Sequence, residues 1–192
     1  MINWDDIEKK IKDVSIKKTI KEKTSLDEIK VINEQILHLN QNARLFKEFF
    51  TIKSLTLEIA SFRFLLSILF MTELLSVEIN LLIYALMLKG HHDIWSERKQ
   101  KFISSFNELF DLPLFLRLRF LNKHGFEFLS EIIPRKIRND IAHQNFKIES
   151  DGTILLSKKG KSEKLSDKIM DKMVDNLLRY AEIMSKEFPS EK

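Results

Sequence analysis

Between about Leu55 and Leu88 the chain is apolar on nearly every side, interrupted by charge at Glu58, Arg63, Glu73 and Glu78. The longest uncharged runs within it, Phe64 to Thr72 and Ile79 to Leu88, fall short of the roughly 20 apolar residues that a membrane-spanning helix requires. A segment of this kind belongs in a protein core, as one long helix or two, with other helices laid around it. No break can be placed before Gly90, which reads as the C-cap following Lys89. With only four Gly and three Pro among 192 residues, the rest of the chain also favours long helices, because these two residues are the strongest breakers.

The flanking segments fit that picture. Ile7, Ile11 and Val14 recur at helical spacing. Ile16 to Lys23 is lysine-rich and reads as a solvated helix face or connector, with an RNA-binding arm as the alternative. Ser25 followed by Glu28 resembles a capping box, and Ile29, Ile32, Ile36, Leu39, Ala43, Phe46 and Phe50 continue a stripe. His91, His92 and Asp93 form a short connector. Adjacent histidines point in different directions and no ligand-rich segment accompanies them, so a loop is expected rather than a metal site, with Asp93 as N-cap. Ile94, Phe102, Ile103, Phe106, Leu109 and Phe110 then mark the next helix, Pro113 permits a fresh start through Leu121, and Gly125 separates this from Phe126, Phe128, Leu129, Ile132 and Ile133.

Beyond His143 the period changes. Phe146 and Ile148 alternate with charged residues, Asp151-Gly152 reads as a two-residue hairpin turn, and Ile154 and Leu156 alternate on the return. Ser157 to Lys164 reads as a mobile connector. Ser166 caps a last amphipathic helix carrying Ile169, Met173, Val174, Leu177, Ala181, Met184 and Phe188. The expectation is a single domain over 1–192, an all-α helical bundle with a small β-hairpin inserted before the last helix, residues 1–24 being a candidate N-terminal helical extension.

The absence of cysteine removes disulfides, thiolate zinc sites and Cys nucleophiles together. With an acidic start in place of a signal peptide, it makes the cytoplasm the expected location, and no membrane partner is expected. The net charge of +4 is compatible with a phosphate-bearing partner without requiring one.

The segment from Pro134 to Phe146 carries the chemistry. It reads as a short helix started by Pro134 with Arg138, Asn139 and His143 as candidate site residues. Arg138 and His143 are five positions apart, about 140° in azimuth on a regular helix, so a straight helix cannot aim both at one small target. Either the helix ends near His143 and swings it back, or two copies face each other across a two-fold axis. RNA cleavage by the strand's own 2′-hydroxyl needs a base, an acid and positive charge for the phosphorane. Histidine can fill either proton-transfer role, and arginine offers a fixed planar cation. The sequence has no dense carboxylate or Cys/His ligand set, so neither metal nor cofactor is expected. Spacing alone leaves a plainer alternative, with His143 at a helix C-terminus and Arg138 in a surface ion pair.

Arg138-Asn139-Asp140-Ile141-Ala142-His143 resembles the R-x(4–6)-H motif of the HEPN superfamily, including a polar residue after the Arg, with Ile137, Ile141 and Ala142 as its apolar and small framing. The resemblance is specific over about Pro134 to Ile154 and pattern-level elsewhere. It implies a helical bundle that forms a homodimer and brings two motifs together. Many such domains are metal-independent endoribonucleases of toxin–antitoxin, abortive-infection and CRISPR-associated systems, and others are non-catalytic modules that bind nucleotide, RNA or a partner protein. Carried over, Arg138 stabilises phosphate charge, His143 transfers protons and Asn139 assists. The expected partners are RNA, a second copy of the chain and an antitoxin or defence-system protein. A toxin subgroup carries a modified Tyr two residues after the His, where this chain has Asn145. Arg117, Arg119, Lys123, Arg135 and Lys136 are candidate RNA-backbone contacts, or else solvated surface charges. His124 is a second candidate histidine. Phe126, Phe128 and Phe146 can stack on bases or pack in the core.

Overall fold

The computed structural model describes residues 2–51, 53, 56–158 and 161–187. It is mostly helical with small antiparallel sheets. The helices α1 (Trp4–Val14), α2 (Ile16–Lys23), α3 (Leu26–Thr51) and α4 (Leu57–Leu88) come first. The apolar stretch is one helix of 32 residues from Leu57, capped by Thr56, whose hydroxyl accepts from Ile59 N at 3.2 Å. Ser54 and Leu55, at the start of the stretch, lie outside the described residues, as do the side chain of Phe50 and residue Phe188. By length and composition α4 could cross a membrane, but 56% of its most apolar window is buried inside the fold. It ends as expected at Lys89: Gly90 at φ +105° allows Gly90 N to donate to Met87 O and His91 N to Leu86 O, the paired bonds of a glycine-terminated helix.

Helix α4 passes through two apolar clusters. In the larger, its C-terminal half (Met71, Leu75, Ile79 and Leu81 to Met87) meets α1 and α2 through Ile7, Ile11, Ile16 and Ile20, and meets Leu177, Tyr180 and Met184 near the C-terminus. Residues 4–23 are therefore built into the main core. Within α2, Ile16, Thr19 and Ile20 are buried while its lysines face solvent. Only half of the anticipated capping box forms: Ser25 Oγ accepts from Glu28 N at 3.3 Å. The Glu28 carboxylate instead ties α3 to the core, accepting from Tyr84 Oη at 2.5 Å and Phe106 N at 3.1 Å.

The segment after α4 corrects the sequence reading. Ile94 to Phe110 is not a helix begun by Asp93. It is a two-stranded ladder, β1 (Trp95–Ser96) with β2 (Lys101–Phe102), followed by a 3-10 turn over Asn107–Asp111. The turn runs through Gln100 at φ +50°, and Ile103 N donates to Ile94 O at 2.9 Å. The buried residues Ile94, Ser96, Ile103, Phe106 and Leu109 satisfy a ladder and one turn, a spacing that mimics a helical stripe over a short stretch. Helices α5 (Leu114–Lys123), α6 (Phe128–Ile132) and α7 (Arg135–Ala142) follow, starting after Pro113, Gly125 and Pro134 respectively.

The expected hairpin is a three-stranded sheet in the order β3 (Phe146–Ile148), β4 (Ile154–Lys158), β5 (Lys161–Leu165). Its first turn is not a two-residue turn. Glu149 N donates to Thr153 O and Gly152 N to Glu149 O, leaving a three-residue loop with Gly152 alone at positive φ. A Cβ on Gly152 would sit 3.1 Å from Leu57 Cβ, and Ser61 Oγ donates to Gly152 O at 2.6 Å, so the turn is pinned to the start of α4. The polar run expected as a connector, 157–164, supplies the end of β4 and most of β5 (Lys159 and Gly160 lie outside the described residues). An edge strand needs few apolar residues and commonly carries charge; here Leu165, opposite Ile154, provides the buried contact. Ile154, Leu156 and Leu165 join Leu65 and Ile68 of α4, Ile141 of α7 and Met173 in the second cluster. The final helix, α8, spans Asp167–Glu187.

One buried acid leaves a measurable mark. Glu78 is half-buried overall, but its Oε2 is enclosed and lacks a hydrogen-bond partner among the described residues. Burial raises its carboxyl from 4.5 to about 8. The folded state therefore retains a proton that the unfolded state releases, and stability falls as pH rises between those two values. Comparing urea midpoints from pH 5 to 8, wild type should lose stability progressively, whereas Glu78→Gln should be nearly flat. Parallel profiles would show that Glu78 ionises freely in the fold.

Candidate functional site

The motif helix α7 lies against α4 and the sheet, burying Ile141 and half-burying Ile137. Its other face presents Arg138 and Asn139 to a cavity of about 380 Å³ between α4, the start of α5 and α7. Arg138 Nε donates to Glu73 Oε1 at 3.0 Å, Nη2 also pairs with Glu73, and Nη1 donates to Asn139 Oδ1 at 3.2 Å. Asn139 thus holds the guanidinium plane, while Glu73 of α4 partly neutralises it.

Arg117 enters the same cavity from α5. It is 7% exposed, and its Nη1 donates to Ser76 Oγ and to Asn80 Oδ1 at 3.0 Å. Burial lowers its ionisation to about 10; Glu73 opposes the shift and Arg138 adds to it. A guanidinium with that value remains charged at neutral pH. Arg135 completes the wall, its guanidinium carbon 5.9 Å from the centre of the Phe115 ring. Three arginines and one glutamate line this cavity, a charge balance suited to an anion.

His143 does not join them. It is the C-cap of α7, exposed, with φ −96° and ψ 10°. The helix does not swing it back: its backbone stays near helical, so its side chain continues around the axis away from Arg138. The reversal comes one residue later. Gln144 takes φ +56°, Gln144 N donates to Ile141 O at 3.0 Å and Asn145 N to Asp140 O at 2.8 Å. These are the two bonds of a Schellman ending, made with a glutamine where glycine is usual. Among the described residues the His143 ring makes no hydrogen bond or ion pair, and it does not line the arginine cavity.

The other sequence candidates are dispersed. Arg119 and Lys136 line a second groove of about 600 Å³ beside α5 and β5. Lys123, at the far end of α5, pairs with Asp93 beyond the C-terminus of α4. His124 is there too, its Nε2 2.8 Å from Asp93 Oδ1 and its ring 4.5 Å from that of His91. Asp93, expected as a helix cap, instead has its carboxyl held down at about 2, chiefly by Lys123. Among the described residues no three His, Asp or Glu side chains gather as a metal-binding group. Phe126 is buried, and Phe128 and Phe146 are half-buried against the two clusters.

Glu73, Ser76 and Phe115 had not been singled out for the site. Their signal was faint: a carboxylate and a hydroxyl three residues apart in an otherwise apolar helix, and an aromatic four residues before Arg119. The chain matches no family model, no curated protein and no solved structure.

Two measurements test this geometry. Glu73→Gln leaves three cations without a carboxylate, so inorganic phosphate should bind up to about five-fold tighter at low salt, the scale of an exposed ion pair. Weaker binding would mean that Glu73 is needed to hold Arg138 in place. Gln144→Gly removes the cost of a left-handed non-glycine residue and should stabilise the fold by about 0.5–1 kcal/mol, read as a higher urea midpoint with unchanged slope.

Proposed function

We propose that the protein is a metal-independent endoribonuclease of the HEPN type, acting as a homodimer in phage defence or as the toxin of a toxin–antitoxin pair. The observation that carries this reading is the convergence of Arg117, Arg135 and Arg138 on one cavity, with an exposed His143 at the end of the helix that supplies Arg135 and Arg138. Three guanidiniums at one surface cavity suit a phosphodiester. The strand's 2′-hydroxyl attacks the adjacent phosphorus, the bond to the 5′-oxygen breaks, and the products are a 2′,3′-cyclic phosphate and a 5′-hydroxyl. The arginines offset the charge of the phosphorane. His143 exchanges protons with the entering or leaving oxygen.

In one chain Arg138 faces the cavity while His143 points elsewhere. A two-fold pair of α7 helices supplies the missing half, with the imidazole of one copy approaching the arginines of the other. The Arg138–Glu73 pair favours the second reading, a non-catalytic module that binds RNA, nucleotide or a partner protein, because it occupies the cation that cleavage requires. Exposed pairs of this kind contribute only about 0–1 kcal/mol, so phosphate can displace the carboxylate.

Purified protein should cleave single-stranded RNA in excess chelator, leaving cyclic phosphate ends. His143→Ala should reduce the rate by at least about 100-fold, the usual scale of lost proton transfer, with an unchanged circular dichroism spectrum. Equal cleavage by wild type and variant would remove His143 from the chemistry. RNA binding without cleavage under any condition would leave the module reading.

A further inference from the structure

A second groove shares Phe115 and Arg135 with the arginine cavity and lies among α5, α7 and the edge strand β5, with a volume of about 600 Å³. Its floor is apolar, formed by the buried Leu118, Ile133, Leu156 and Leu165. Its rim is cationic: Arg119, Arg135, Lys136 and Lys164 stand against Glu131 and Glu163, and only Lys136 reaches Glu163, at 3.4 Å. Phe115 is 44% exposed, an aromatic ring left open at the boundary between the cavities while Arg135 approaches it. On the groove wall Ser130 Oγ donates to Asn122 Oδ1 at 2.9 Å, which leaves the Asn122 amide N–H groups and the Ser130 oxygen lone pairs for a ligand.

A flat ring with a polar edge, attached to an anion, meets every one of these features. An apolar peptide side chain would fill the floor and leave the cations unmatched. We propose that this groove holds one unstacked nucleobase of a single-stranded RNA whose adjoining phosphate lies among Arg117, Arg135 and Arg138. The inference rests on the ribonuclease reading of that cavity and assigns its substrate class. A base can enter only if it is splayed out of a helix, so the site selects unpaired RNA. Phe115 provides the stacking face, Asn122 and Ser130 address the base edge, and Arg119 and Lys136 lie along the continuing backbone.

The test uses the full chain carrying His143→Ala and two small probes, adenosine 5′-monophosphate and ribose 5-phosphate, which differ only in the base. Calorimetric titration should give about ten-fold tighter binding of the nucleotide, the scale of one base stacked on an aromatic ring. Adding Phe115→Ala should bring the two probes within about two-fold of each other, and Phe115→Leu, which keeps apolar area but not the flat ring, should recover little. Adding Arg138→Ala should weaken both probes alike. Equal affinity for the two probes, no binding of either, or a preference that survives Phe115→Ala would each overturn the proposal. Base preference without cleavage by the wild type would overturn the ribonuclease reading alone; cleavage without base preference would overturn the groove assignment alone.

Discussion

Helix α4 is apolar on nearly every side over 32 residues, and the remaining elements are arranged to cover it from about Leu65 onward, while Leu57, Ile59, Phe62 and Phe70 stay exposed. Burying a Leu, Ile or Met side chain contributes roughly 1.5–3 kcal/mol, so an uncovered half of α4 would forfeit a stabilisation comparable to that of an entire domain. The C-terminal half is enclosed by helices; in the N-terminal half α7, the sheet and α8 cover one face, at Leu65 and Ile68. The candidate site lies between these halves, at Thr72 to Asn80, where polar side chains interrupt the helix surface.

That position explains the charge arrangement. Glu73, Ser76 and Asn80 fall at intervals of three and four, which puts them on one face of α4 toward α5 and α7. Ser76 and Asn80 provide the acceptors that let Arg117 stay charged while almost fully buried. A buried guanidinium without partners would cost several kcal/mol; with these two it becomes a fixed positive charge at the cavity wall. Arg138, by contrast, is held among the described residues by Glu73 and by its neighbour Asn139. The cavity therefore has one immobile cation, Arg117, and one exchangeable cation, Arg138, alongside Arg135.

The helices were legible where apolar spacing was sustained, as in α1, α4 and α8, and where Gly90, Pro113, Gly125 and Pro134 mark their ends. The ladder at Trp95–Phe102 was not, because a short apolar series fits a helix and a ribbon equally well. Strand β5 was hidden by its own edge position, which makes its sequence resemble a loop. Within the site, Arg138 and Asn139 could be picked out because they are adjacent in sequence. Arg117 and Glu73 could be located only as charges in apolar helices, since their pairing spans 41 residues to Ser76 and 65 to Arg138. Long-range polar contacts of this sort leave no periodic signature.

The ending of α7 decides where the motif's histidine lies relative to Arg138. Had the chain reversed at His143, its imidazole could have turned toward Arg138 within one molecule. The left-handed residue is instead Gln144, and the two bonds from Gln144 N and Asn145 N lock the reversal after the histidine. His143 consequently keeps a helical direction about 100° per residue further round from each predecessor, so the backbone sets the direction in which its side chain leaves the helix. A side chain leaving the helix in that direction is turned away from the arginine cavity of its own chain. The proposed chemistry therefore depends on how the α7 surfaces of two copies meet, whereas the groove beside Phe115 is complete within one chain.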